Sequence, residues 1–162
     1  MIYLLVKLLM KLPLSMIIKD VTNEDIEEIS SLEEKIFGID AFSKDLLKKL
    51  FKNKLLFIKL VDETEKILGF SISIEGVKNR ANIINLLIRE EYQHQGLGSF
   101  LLKRTLKEIK NKNKFKSIIL NVKTDNDIAI HLYQRYGFKV IKIGHKHQLG
   151  ECLLPEGLHI GY

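Results

Sequence analysis

Residues 91–112 have the sequence EYQHQGLGSFLLKRTLKEIKNK, in which two glycines directly precede a run of helix-forming residues. The chain has only 10 glycines, and Gly96 and Gly98 stand one residue apart. A turn before any helix can use glycine, which is one interpretation. The other is that the backbone approaches a phosphate group, because a helix N-terminus presents unpaired N–H groups and the positive end of the helix dipole.

The elements predicted around this segment indicate a mixed α/β sheet flanked by helices. Apolar runs predict strands at 17–21, 55–61, 67–75, 81–88, 117–122, 139–143 and 158–162, with residues 144–148 in a loop. Helical periodicity predicts helices at 22–37, at 97–112 and within 125–138, the last ending at Gly137. A further helix follows a cap at Ser43 and carries Leu46, Leu47, Leu50 and Phe51 on one face. The strands first form hairpins and then alternate with helices, so the fold class is α/β with a mixed sheet.

Length and the N-terminal residues predict one domain at 16–162. A chain of 162 residues can bury a single core without metal or disulfide. We expect residues 1–15 to be an extension outside that core. Lys7, Lys11 and Pro13 interrupt its apolar run, well short of the roughly 20 apolar residues that a membrane span needs. An amphipathic helix at a membrane surface is the alternative interpretation.

Charge and cysteine content exclude several kinds of partner. The net charge of +6 permits nucleic acid or anionic small molecules as partners. The chain has no tryptophan and no basic stretch interleaved with aromatic residues, so we expect a solvated lysine surface and no nucleic acid. Cys152 is the only cysteine, which excludes an intrachain disulfide and favours the cytoplasm. Without paired Cys/His spacing, no metal site is expected.

Two motifs of the chain, QHQGLG (93–98) and NDIAIHLYQRYGF (126–138), fit the patterns Q/R-x-x-G-x-G/A and N-x-x-A-x-x-L-Y-x-x-x-G-F. Both patterns resemble those of the GNAT superfamily of N-acetyltransferases. Each motif stands on the predicted type of element. A Rossmann fingerprint needs a third glycine and a later acidic residue, and a Walker loop needs Gly-Lys-Ser/Thr; neither is present. In detail the chain most resembles ribosomal-protein-alanine and other protein N-terminal acetyltransferases.

This resemblance implies a mostly antiparallel sheet with one splayed parallel strand pair and acetyl-CoA as co-substrate. The coenzyme pyrophosphate would bind at the glycine turn, and the pantetheine arm would bind backbone groups at the end of the preceding strand. The implied cofactor-binding residues are Leu86, Leu87, Ile88, Gln93, His94, Gln95, Gly96, Leu97, Gly98, Ser99 and Asn126. Asn126 can also cap the following helix.

For catalysis, the resemblance assigns Tyr133 as the general acid that protonates the departing thiolate. The family's general base is a glutamate in an L-E-V stretch, where this chain has Leu120-Asn121-Val122. Three alternatives follow: a water held by Asn121, an amine that arrives neutral, or His147 as base. For His145 and His147 alike, the other interpretation is a surface-loop histidine. Phe42, in the stretch DAFSKD, and His147 would shape the acceptor site.

We therefore expect direct acetyl transfer in a ternary complex, since Cys152 lies outside the motifs. An α-amine of a protein or peptide is the favoured acceptor, because its pKa of about 7.7–8.0 leaves it partly neutral near pH 7. A small amine or a lysine side chain is the alternative acceptor. A non-catalytic acetyl-CoA-binding module is the alternative function; Asn121 favours it and Tyr133 argues against it.

Overall fold

The computed structural model describes residues 15–154. Within them the strands are β1 Met16–Asp20, β2 Leu56–Asp62, β3 Ile67–Glu75, β4 Arg80–Ile88, β5 Ser117–Lys123, β6 Lys139–Ile143 and β7 His147–Leu153. The α-helices are α1 Ile26–Phe37, α2 Lys44–Asn53, α3 Leu97–Asn111 and α4 Asp127–Arg135. The strands form one sheet in the order β1-β2-β3-β4-β5-β7-β6, in which only β4 and β5 are parallel. The expected mostly antiparallel mixed sheet is confirmed.

The parallel pair β4–β5 is joined at one end and splayed at the other. Its register runs from Arg80 opposite Ser117 only to Ile83 opposite Leu120. Beyond that point β4 continues through residues 84–88 and β5 through residues 121–123. We call the joined part, 80–83 with 117–120, the closed end, and the continuation of the two strands the open end.

The two faces of the sheet pack on different helices. On one face, Ile29 and Leu32 of α1 and Leu47 of α2 form a buried cluster with side chains from β2 to β4. On the other, α3 packs on the sheet through Leu101, Leu102, Leu106 and Ile109. Helix α4 covers the β5 and β7 side of this second face. The predicted cap of α2 is present, since the Leu46 N–H donates to Ser43 Oγ at 3.2 Å. Leu46 itself is exposed, contrary to the prediction.

Strand β7 is the main element that the sequence prediction missed. It lies between β5 and β6 and pairs with both, from Lys123 opposite His147 to Ser117 opposite Leu153. Its sequence HQLGECL contains no β-branched residue, so its strand propensity is weak. The chain forms the strand because two neighbouring strands satisfy its backbone. The predicted strand at 158–162 and the predicted N-terminal extension, apart from Ser15, lie outside the described residues.

Among residues 15–154, no helix is long and apolar enough to cross a bilayer. The same part of the chain brings together no group of three or more His, Cys, Asp or Glu side chains that could hold a metal ion.

Candidate active site

The glycine turn begins α3 in a conformation that favours glycine. Gly96 is the N-cap residue with φ of 80°, in the left-handed region, and a Cβ there would meet nothing within 4 Å. Glycine is therefore favoured at position 96 by its backbone conformation and not by lack of space, because the surroundings are open. A Cβ at Gly98 would be 3.7 Å from the Leu132 side chain, so Gly98 lies where α3 meets α4. His94 also has a positive φ, of 61°.

The first turn of α3 has a geometry suited to binding an anion. The first backbone bond of this helix joins the Phe100 N–H to the Gly96 carbonyl at 3.0 Å, and the first turn contains no acidic residue. The preceding N–H groups therefore point out of the helix end. Gln95, Gly96 and Ser99 lie at the surface or half-buried, whereas the Leu97 side chain is buried in the core. Only the backbone of Leu97 can face a ligand.

Tyr136 fixes this helix end to α4, a role that the sequence did not indicate. The Ser99 and Tyr136 hydroxyls are 2.6 Å apart, and the Tyr136 hydroxyl also lies 3.3 Å from the Ser99 carbonyl oxygen. Sequence reasoning assigned Tyr136 to the core, and its ring is indeed half-buried beside the α4 cluster. Its hydroxyl thereby links the N-terminal turn of α3 to the C-terminal end of α4.

The open end places Leu86, Leu87 and Ile88 beside a gap in the sheet. Each pairs with β3, and no β5 partner is recorded for them within residues 15–154. Gly69 of β3 permits this approach, because a Cβ there would lie 2.4 Å from the Leu87 carbonyl oxygen. The Gln93 side chain donates to the Ile88 carbonyl at 2.9 Å. The strand end and the glycine turn are thus held together.

Tyr133 lies on the α3 and α4 side of the open end. Its ring packs edge-on against Phe138 with centroids 5.9 Å apart. It borders a small, mainly apolar cavity with Leu120 and Val122 of β5 and with Gly150 of β7. Burial raises the pKa of Tyr133 to about 12. The phenol is therefore protonated near neutral pH, a state in which it can donate a proton.

Asn126 is the N-cap of α4, the helix on which Tyr133 stands. Its side-chain oxygen accepts a hydrogen bond from the Ala129 N–H at 3.1 Å. This contact fixes the first turn of α4. The helix ends before Gly137, whose φ of 88° is the predicted left-handed C-terminal conformation.

Asn121 and His147 lie on the opposite face of the sheet from Tyr133. Both side chains are exposed. In the β5–β7 register Asn121 is opposite Leu149 and Lys123 is opposite His147. Asn121 and His147 are therefore diagonal neighbours on one face, about 7–8 Å apart between Cα atoms. The two candidate bases stand together, and the candidate acid is on the other side of the open end.

The loop between α1 and α2, residues 38–43, borders this second face. Phe42 is half-buried against the cluster formed by α1 and α2. Asp40 Oδ2 lies 3.5 Å from Lys123 Nζ at the end of β5. The loop therefore reaches the open end on the side where Asn121 is exposed, and its role as a wall of the acceptor site stays a prediction.

A buried carboxyl group, Glu33 of α1, lies behind this loop. Its side chain is 1% exposed. Glu33 Oε2 accepts from the Phe42 N–H at 3.1 Å, and Oε1 accepts from the Asn85 side-chain amide on β4. Burial raises the pKa of Glu33 to about 7. Sequence reasoning missed this residue, although its spacing of four from Ile29 places a charged residue on the buried stripe of α1.

Cys152 is placed where it cannot act as a nucleophile. It is buried on β7, and burial raises the pKa of its thiol. Its Sγ lies 3.7 Å from the Tyr136 carbonyl oxygen. A thiol that stays protonated in the core is unreactive.

Curated relatives match this chain in sequence over part or most of its length. The chain is 28% identical to N-alpha-acetyltransferase 50 of Danio rerio over 76% of this chain and 74% of that protein. It is 29% identical to the ribosomal protein bS18-alanine N-acetyltransferase of Haemophilus influenzae over 78% of this chain and 84% of that protein. Matches to N-alpha-acetyltransferases of Sulfurisphaera tokodaii and Saccharolobus solfataricus are 30% and 31% identical over 40% and 46% of this chain. They span only 38% and 46% of those proteins, less than half their length.

Solved structures and a family profile agree with these relatives. The ribosomal-protein-S18-alanine N-acetyltransferase from Escherichia coli has the same fold, with a TM-score of 0.78 at 20% identity over 91% of this chain and 99% of that one. The PaiA N-acetyltransferase from Thermoplasma acidophilum, in complex with coenzyme A, gives 0.74 at 21% identity over 87% and 100%. The profile of the acetyltransferase (GNAT) family matches residues 23–138, more than half of the chain. The chain therefore belongs to the acetyltransferase (GNAT) family.

Proposed function

We propose that this protein transfers the acetyl group of acetyl-CoA directly to the α-amine of a protein or peptide. The principal support is the arrangement at the open end of the β4–β5 pair. A helix N-terminus free of acidic residues stands beside the gap, with a protonated phenol on one face of the sheet and two candidate bases on the other. The gap would hold the thioester between the acid and the base.

The coenzyme would bind on the α3 side. Its pyrophosphate would accept hydrogen bonds from the N–H groups between Gly96 and Ser99, where no side chain at Gly96 or Gly98 obstructs it. The Thermoplasma acidophilum neighbour, which has this fold, is described as a complex with coenzyme A. The implied roles of Gln93, His94, Gln95 and Asn126 remain predictions; in the structure Gln93 holds the strand end and Asn126 caps α4.

The reaction would proceed in one ternary complex. The amine nitrogen attacks the thioester carbonyl carbon, forming the C–N bond, and the C–S bond then breaks with its electron pair on sulfur. Tyr133 donates its proton to the leaving thiolate, and the proton of the attacking amine passes to a base on the opposite face. Backbone N–H groups of the open end would stabilise the intermediate oxyanion, an interaction worth a few kcal/mol.

The α-amine is the preferred acceptor for two reasons. Relatives covering about three quarters of this chain are named N-alpha-acetyltransferase and ribosomal protein alanine N-acetyltransferase. An α-amine also needs the least help with deprotonation, which fits a site where Asn121 replaces the family's glutamate. A small amine or a lysine remains the alternative acceptor.

The test is thiol release from acetyl-CoA with a panel of amines, alongside calorimetry with acetyl-CoA. The panel contains peptides with a free α-amine and blocked lysines, the same peptides with a blocked α-amine and free lysines, and small primary amines. We expect turnover with the first group. Turnover only with another group would replace the acceptor, and acetyl-CoA binding without turnover on any amine would leave a binding module.

A further inference from the structure

A β-bulge in β4 turns one polar side chain toward α1. Ile72 of β3 is opposite Asn85, and Ser73 is opposite Ile83, so Ile84 has no partner. A bulge of this kind places two consecutive side chains on the same face of the strand. Ile84 accordingly packs with the α1 cluster, and Asn85 beside it reaches Glu33 of the same helix.

Glu33 thereby connects three segments on the face of the sheet where Asn121 and His147 are exposed. Its backbone belongs to α1, one oxygen binds the Phe42 N–H in the loop 38–43, and the other binds Asn85 at the open end. No ion pair is recorded for Glu33 in residues 15–154. A carboxyl 1% exposed and without a cation is costly to bury, and hydrogen bonding alone compensates. A leucine in its place would pack on the stripe at less cost.

We propose that Glu33 is a positioning residue of the acceptor site, which fixes the loop containing Phe42 at a set distance from the Asn85 side of the splayed strand. The proposal deepens the proposed function and rests on it, because the loop matters only if the amine approaches from this face. Glu33 does not act as the base. Both of its oxygens are engaged and its side chain is closed off from the cleft, so its effect passes through Phe42 and Asn85.

Asn85 suits this role because an amide offers both a donor and an acceptor. Its NH₂ group donates to an ionised Glu33, and its oxygen can accept from the protonated acid after the amide turns over. The contact to the Phe42 N–H persists in both states, because a carboxyl oxygen accepts either way. For the same reason a glutamine at position 33 can keep both contacts.

The experiment compares Glu33→Met, Glu33→Gln and the matched control Glu34→Met at the exposed neighbouring position. Methionine has similar length but no acceptor for the Phe42 N–H. We expect Glu33→Met to raise KM for the α-amine peptide about tenfold or more, equivalent to ~1.4 kcal/mol of lost positioning. Its acetyl-CoA affinity should equal that of the parent. Glu33→Gln and Glu34→Met should retain the parental KM.

A folded Glu33→Met variant with parental peptide KM would overturn the proposal, as would a KM increase matched by equal loss of acetyl-CoA affinity. Should Glu33→Met not fold, Asn85→Leu removes the other side of the link and should raise peptide KM alone; a parental KM there overturns the proposal.

A readout independent of turnover separates this proposal from the proposed function. If the parent does not acetylate α-amine peptides, the acceptor assignment fails, and amide hydrogen exchange at Phe42 still tests the link. Protection of the Phe42 N–H should fall in Glu33→Met and stay unchanged in Glu34→Met. Equal protection in both variants would show that Glu33 does not hold the loop.

Discussion

A carboxyl group lies beside each end of the β4–β5 pair, and the two groups differ in their hydrogen-bonding and charge partners. At the closed end Glu151 Oε1 lies 3.1 Å from Arg80 Nε and accepts from the Ser117 hydroxyl at 2.6 Å. These contacts link β4, β5 and β7. Beside the open end, the donors to Glu33 within residues 15–154 are both neutral, the Phe42 N–H and the Asn85 amide.

Because of this difference, we expect the closed end to stabilise the sheet and the open end to bind ligand. The closed end joins three strands by a charge-paired group and backbone pairing, so it stabilises the sheet. At the open end β4 and β5 are not paired with each other, and a carboxyl group is buried without a cation. Both features cost free energy of folding. Such local costs are typical of sites that must stay open to a ligand.

The largest expected effect is at the glycine turn beside the open end. Gly96→Glu should abolish acetyl-CoA binding, because a carboxylate would repel the pyrophosphate and strain the left-handed backbone. Gly38→Glu is the matched control, since Gly38 also has a positive φ of 55° and open space around it. Calorimetry should show loss of affinity only in the first variant. Equal affinity in both would remove the phosphate-binding role from the glycine turn.

Tyr133→Phe should lower kcat by roughly 10²-fold, the low end of general acid catalysis, with little change in acetyl-CoA affinity. The phenol is held protonated by burial, so its loss should remove the proton donor without altering charge. The control is Tyr92→Phe, whose hydroxyl lies 3.4 Å from Lys66 Nζ. The measurement is kcat under conditions where chemistry limits the rate; an unchanged value would make Tyr133 a packing residue.

Glu33 should make stability fall as pH rises. Its pKa is raised from an ordinary 4.5 to about 7 by burial, so the folded state holds the proton more tightly than the unfolded chain. Unfolding between pH 4.5 and 7 therefore releases a proton, and the free energy of unfolding should fall by up to about 3 kcal/mol and then level off. Glu33→Gln should lose this component. Urea unfolding of both proteins at pH 5 and 8 measures it; identical pH slopes would contradict it.

At the closed end, Glu151→Ala should lower the free energy of unfolding by about 1–3 kcal/mol, because Arg80 and Ser117 lose their acceptor. Acetyl-CoA affinity should not change. Glu75→Ala, which breaks an exposed pair with Lys114, is the control and should change stability by less than about 1 kcal/mol. If Glu151→Ala weakened coenzyme binding in a folded protein, the two ends would not be independent.

The smallest effect, of several-fold in kcat/KM, concerns the base. If Asn121 holds a water, Asn121→Glu should raise kcat/KM for an α-amine peptide near neutral pH. If His147 is the base, His147→Ala should lower kcat/KM for that peptide, and Asn121→Glu should matter little. If the amine arrives neutral, neither change should move the profile. Profiles from about pH 5.5 to 9 for the parent and both variants distinguish these cases; the bound water is our expectation.

The sequence predicted what depends on local pattern. The glycine turn, the periodic helices and the long apolar strands are local, and the motif resemblance supplied the splayed pair. Strand β7 escaped prediction because its pairing partners, not its residues, make it a strand. Glu33 and Asn85 escaped because a bulge in β4, invisible in the sequence, brings them together. Tyr136 escaped because its hydroxyl contact joins residues 37 positions apart.

The placement of β7 between two earlier strands has a consequence for synthesis on the ribosome. When residues up to 143 have been made, β5 still has an unpaired edge and β6 lacks its neighbour in the described sheet. Unpaired strand edges promote association between chains. A nascent chain released before residue 147 would therefore aggregate rather than persist as a weakened enzyme. Strand β7, the last strand among the described residues, pairs with β5 and β6 and so covers the exposed edge of β5.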